Sequence, residues 1–150
     1  MKSIKITLFS LCAVFLAWCS ITFDFDGAII ERFTNKISYL YANCRSDIEW
    51  LQETMTPETI ESMDQTCVAS IKAITKIKWK IEKIKWKIWE SEILNQLLAK
   101  IDEILNSLQT SKDRIKEYSS NVDISWLVNQ MNTDNLIWGL ENLAKEFSNE

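Results

Sequence analysis

Apolar residues recur at spacings of three and four along most of the chain. Ile30, Phe33, Ile37, Leu40, Cys44, Ile48, Leu51 and Met55 form the first such series. This spacing lines one side of a helix with apolar groups and predicts a helix over 28–55, with Tyr39 and Tyr41 flanking its apolar face. Thr56-Pro57-Glu58 marks a stop and a restart. Threonine suits an N-cap, proline the first helical position, and an acid in the first turn complements the helix dipole. The second helix therefore starts at Pro57.

The second series is Ile60, Met63, Cys67, Ile71, Ile74, Ile77, Ile81, Ile84 and Ile88. It contains KIKWKIEKIKWKIW (76–89), a seven-residue phrase written twice. Read as strands, 77–81 and 84–88 alternate apolar and cationic residues, leaving Glu82-Lys83 as the loop. Two-residue hairpin loops need positive φ and favour Asn, Asp or Gly, so Glu-Lys argues against that reading. As a helix, the isoleucines form an a/d seam continuous with their neighbours. A third series, Leu94, Leu97, Ile101, Ile104, Leu108, Ile115 and Tyr118, is offset from it by one residue. Ser91 with Glu92 could cap a new helix. Neither Gly nor Pro interrupts 89–92, however, and a continuous or kinked helix is the expectation. Residues 57–88 alone would then extend about 48 Å. Ser119-Ser120-Asn121 is a loop signal. Beyond it, Ile124, Leu127, Val128 and Met131 predict one short helix, and Leu136, Ile137, Leu140, Leu143, Ala144 and Phe147 another.

Composition agrees with helices. Two glycines and one proline in 150 residues are too few for a turn-rich β protein, and the apolar and charged fractions of 47% and 25% are ordinary for a globular chain. The predicted fold is all-α: a long antiparallel helical hairpin, coiled-coil-like, with a short helical C-terminal tail.

The first residues read differently. Lys2 and Lys5 precede an apolar run from Ile6 to Ala17, and small residues follow, which is the layout of an export signal over 1–19. Leu16-Ala17-Trp18-Cys19 resembles a bacterial lipobox, in which the cysteine becomes the lipidated first residue; Cys19 is the candidate. Residues 20–27 would be a tether and 28–150 a single domain. Trp18 stands where the lipobox has a small residue. Seven tryptophans against two glycines invert the usual ratio, and Trp79 and Trp86 fall on exposed heptad positions. One reading is that some tryptophans are UGA codons that the source cell reads as glycine; the other is a tryptophan-rich protein.

Cys44 lies 12 residues before Thr56 and Cys67 lies 11 after it. Equal distances from the turn of an antiparallel hairpin put residues side by side, and both cysteines lie on the apolar face. In the oxidising compartment that an export signal implies, a Cys44–Cys67 disulfide is expected.

Candidate chemistry is sparse. The chain has no histidine, which removes His-based triads and His metal sites. No nucleophile–base motif or phosphate-binding glycine loop is present, so the expectation is a non-enzymatic protein without metal or cofactor. Charge is segregated. Residues 72–87 hold seven lysines (Lys72, Lys76, Lys78, Lys80, Lys83, Lys85 and Lys87) against one acid, and residues 47–64 hold six acids and no base. The lysines, with Trp79 and Trp86, form the candidate surface for an anionic partner. The bland alternative is a solvated or internally paired face, in which they flank a seam and can pair with the acids of 47–64. The function expected is an exported helical envelope module, structural or protein-binding. The rival is a cationic protein that binds a membrane surface or an envelope polymer. A homo-oligomer through the isoleucine seam is a further expectation, and nucleic acid is a poor candidate partner for an exported chain.

Overall fold

The computed structural model describes residues 27–87, 91–118, 123–133 and 135–149. All regular structure in them is helical. In chain order the elements are α1 (27–50), then α2 (Pro57–Lys87), α3 (Glu92–Glu117), α4 (Ser125–Thr133) and α5 (Leu136–Ser148). The candidate signal, Cys19 and Trp18 lie outside the described residues.

Helix α1 stops earlier than its apolar spacing predicts. Leu51, Gln52 and Glu53 donate their N–H groups to the carbonyls three residues back, at 3.1–3.2 Å, which tightens the helix end into turns. Helix α2 begins at Pro57 as expected. Thr56 caps it: Thr59 N–H donates to Thr56 Oγ1 (3.2 Å) and Thr56 N–H donates to Thr59 Oγ1 (2.8 Å). This is a reciprocal capping box with threonine in the place usually taken by Glu or Gln.

Two contacts give the relation of α1 to α2. Cys44 is bonded to Cys67, and the Lys80 ammonium lies 5.9 Å from the Phe33 ring. Earlier residues of α1 meet later residues of α2, so the two run in opposite senses.

The expected continuous or kinked helix is replaced by two helices, α2 and α3; residues 88–90 between them lie outside the described residues. Helix α2 ends at Lys87, and α3 starts after Ser91, an extended residue (φ −98°, ψ 119°) whose hydroxyl accepts the Leu94 N–H at 3.3 Å. The two helices then pack on each other. Lys78 meets Asp102, and Asp64 meets both Lys112 and Lys116, an order that again requires opposite directions. A continuous helix would leave two apolar stripes facing water. Folding back lets Ile74, Ile77 and Ile81 share a core with Leu94, Leu97, Ile101 and Ile104, and that burial outweighs the loss of a few helical hydrogen bonds.

The apolar face of α1 is also rotated from the expected one. Ile30, Thr34, Ile37, Tyr41, Cys44, Ile48 and Leu51 are buried, while Phe33 and Leu40 are only partly covered. The polar members of this face are satisfied. Thr34 Oγ1 donates to the Ile30 carbonyl (2.8 Å) and Tyr41 OH donates to the Met131 carbonyl of α4 (3.3 Å), which removes most of the cost of burying them. Tyr41 is thus 2% exposed, while Tyr39 remains 65% exposed.

Helices α4 and α5 appear where the weaker C-terminal pattern places them. Asn135 precedes α5 in the left-handed region (φ 55°, ψ 20°), which asparagine tolerates. Leu140, Ala144 and Phe147 of α5 join the core. Ser148 Oγ donates to the Gly27 carbonyl (3.3 Å), which ties the end of α5 to the start of α1. The molecule is a helical bundle with one continuous apolar interior.

Candidate functional site

Among the described residues, the disulfide is the one covalent bond between helices. Cys44 and Cys67 are joined with their Cα atoms 4.7 Å apart. Both are fully buried, with Ile48 and Met63 in the same core. The bond fastens the last two turns of α1 to the first third of α2.

The seven lysines do not behave as one set. Lys78 is drawn inward, 2.6 Å from Asp102 of α3 and 3.8 Å from Glu82. The hydrogen bond with Asp102 holds the Lys78 ammonium above the usual lysine range. Lys80 leans over Phe33 and Lys85 is half-buried. Lys72, Lys76, Lys83 and Lys87 are exposed, as are Trp79 and Trp86. Lys83 stacks on the Trp79 ring at 3.6 Å from its centroid. Positions 72, 76, 79, 83 and 86 follow one another at four- and three-residue steps, so they form an outer stripe on α2. It lies opposite the buried seam of Ile74, Ile77, Ile81 and Ile84. Among the described residues none of Lys72, Lys76, Lys83 and Lys87 makes an ion pair.

The expected pairing of these lysines with the acids of 47–64 is not what forms. Turning at 51–56 puts Asp47 and Glu49 beside the start of α2, whereas Lys80 reaches back to Phe33. Acidic and basic blocks therefore occupy opposite ends of the α1–α2 pair. Asp64 alone among the six acids pairs with another helix, and its partners are Lys112 (3.3 Å) and Lys116 (3.4 Å) of α3. Lys112 is the most enclosed charge in this group, 7% exposed, and it also donates to Asp113 at 3.0 Å. Burial works to lower its pKa, but the hydrogen bond with Asp113 and the facing Asp64 carboxylate outweigh this and the net shift is upward. The Gln109 amide, and then Lys112, hold Asp113 below the usual carboxylate range. Asp64 Oδ1 is buried without an aligned hydrogen bond; its compensation is the nearby Lys112 charge. Sequence reading missed this group, because Lys112 carries no sign of burial beyond standing next to the Leu108–Ile115 face.

The tryptophans share one property. Trp50, Trp79, Trp86, Trp126 and Trp138 are 65%, 58%, 90%, 44% and 67% exposed. The core is made of Ile and Leu with Met, Val, Ala, Phe147, Tyr41 and the cystine; no described tryptophan enters it. Such exposure is unusual for the largest apolar side chain.

Clefts on the surface are shallow. One of about 320 Å³ lies between Asp47, Trp50, Thr59 and Met63, and another of that size between α3 and α4, beside Arg114 and Gln130. No group of three or more Cys, Asp or Glu suited to a metal ion exists among the described residues. No described helix is long and apolar enough to cross a membrane. Of the isoleucine seam considered for a second copy, Ile60, Ile74, Ile77 and Ile81 are buried in the core and Ile71 and Ile84 are partly covered, while Ile88 lies outside the described residues. Comparison with protein-family models, with curated proteins and with solved structures found no match.

Proposed function

We propose that this is an exported helical module of the cell envelope, tethered near its N-terminus, that works by presenting helical surfaces and not by catalysis. The observation that supports export is the Cys44–Cys67 bond. Such a bond persists in oxidising compartments and is rare where thiols are kept reduced. The run from Lys2 to Cys19 supplies the matching signal. Cys19 would be the lipidated residue and Ser20–Gly27 the spacer. A short lead then joins the bundle to the membrane. A structural or protein-binding role fits a molecule whose chemically distinct features are stripes of surface charge. The experiment is peptide mapping, without reduction, of protein taken from its own cells. Linked peptides carrying Cys44 and Cys67 are the expected result.

A further inference from the structure

The outer lysines of α2 have no ion-pair partner among the described residues. Lys72, Lys76, Lys83 and Lys87 are exposed, unpaired among the described residues, and aligned on the outer face of α2. Their place in the fold narrows the choice. Lys80 lies beside Phe33, so Lys83 and Lys87 lie further along α1 toward Gly27. The end of α5 meets Gly27 as well. From there the chain leads back through a few residues to Cys19 and the apolar run 6–17. The cationic end of the bundle is therefore the end from which the N-terminal segment departs, and the acidic turn is the far end. We propose that this stripe rests on the anionic lipid headgroups of the membrane to which the N-terminus is tethered. Each lysine close to an anionic bilayer strengthens binding about fivefold, and the attraction decays within a Debye length. A row along one helix face, lying next to the tether, is suited to that short range. The proposal rests on the export reading above, but the two fail separately.

The test uses the full chain and vesicles of phosphatidylcholine alone or with phosphatidylglycerol. The apolar N-terminal run binds both kinds, so the readout is the ratio of the two affinities. The wild type is expected to prefer the anionic vesicles by at least about a hundredfold at low salt, with the preference shrinking as salt rises. Lys72→Glu/Lys76→Glu/Lys83→Glu/Lys87→Glu is expected to abolish the preference and leave binding to neutral vesicles unchanged. The corresponding Lys→Gln variant, which keeps the helix and adds no repulsion, should lose most of it. Circular dichroism confirms that each variant is folded. A preference that survives the Lys→Gln changes overturns the proposal, as does an acidic polysaccharide that binds the stripe more tightly than the vesicles do. Failure of export would show instead as free thiols at Cys44 and Cys67 in cells, with vesicle selectivity intact.

A different observation carries a second inference. All five described tryptophans lie on the surface, and none contributes to the core. Trp18 occupies the small position of the lipobox. We infer that these positions are glycine in the source cell, written as tryptophan from UGA codons. Glycine inside a helix costs about 1 kcal/mol against alanine, which a bundle with this core tolerates at exposed sites. The lysine stripe does not depend on the indoles. Tandem mass spectrometry of native peptides covering 79 and 86 is expected to read glycine at both. Tryptophan at either position, or a UGG codon there, overturns the inference.

Discussion

Removing the Cys44–Cys67 bond is expected to lower stability by about 3 kcal/mol, the loss of the constraint that a closed loop of about 24 residues places on the unfolded chain. In a domain of this size that corresponds to a fall in Tm of about 10 °C. The comparison should use Cys44→Ala/Cys67→Ala and not serine, because both positions are fully buried and a hydroxyl there would add its own desolvation cost. Chemical denaturation of the double variant, beside wild-type protein with and without reductant, separates the terms. Reduced wild type and the double variant should agree to within the small cavity left by the lost sulfurs. The fold itself should survive, since Ile37, Ile48, Ile74 and Ile81 still form the α1–α2 part of the core. A change well under 1 kcal/mol would mean that the unfolded chain already holds these segments together.

The second large effect is expected at Lys112. Lys112→Met keeps the volume of the side chain but removes the charge facing the buried Oδ1 of Asp64. Breaking a buried pair from one side costs 3–5 kcal/mol. About 3 kcal/mol is expected here, because Lys116 remains 3.4 Å from the other oxygen. Removing both charges in Asp64→Leu/Lys112→Met should recover most of that loss, since replacing a buried pair by packed apolar groups is close to neutral. Urea denaturation of the two single variants and the double gives the coupling energy directly. The pH dependence has a definite sign. The folded Lys112 pKa is raised, so its contribution is fully present below the unfolded lysine value and is lost as pH rises through the folded one.

Some of this was legible in the chain and some was not, for physical reasons. The hairpin at Thr56-Pro57 carries its own local chemistry, a cap and a fixed φ, and the nearly equal distances of Cys44 and Cys67 from it follow from helix rise alone. The break between α2 and α3 carries no such signal. It is a tertiary event in which two apolar stripes cover each other, and only the Ser91 hydroxyl marks it locally. The rotation of α1 that buries Thr34 and Tyr41 depends on a carbonyl of α4, remote in sequence. The charge blocks were legible as blocks. Where they would lie was not, until the fold-back put Asp64 against α3 and left the outer lysines at the other end of α2.

The Cys44–Cys67 bond joins α1 to α2, and the proposed export requires that it form in the cell. Its most direct test is the thiol state of the native protein, alkylated on lysis, digested without reduction and mapped by mass. A linked peptide pair containing Cys44 and Cys67, with neither residue alkylated, is the expected result. Alkylation of both, in protein drawn straight from the cell, would contradict it.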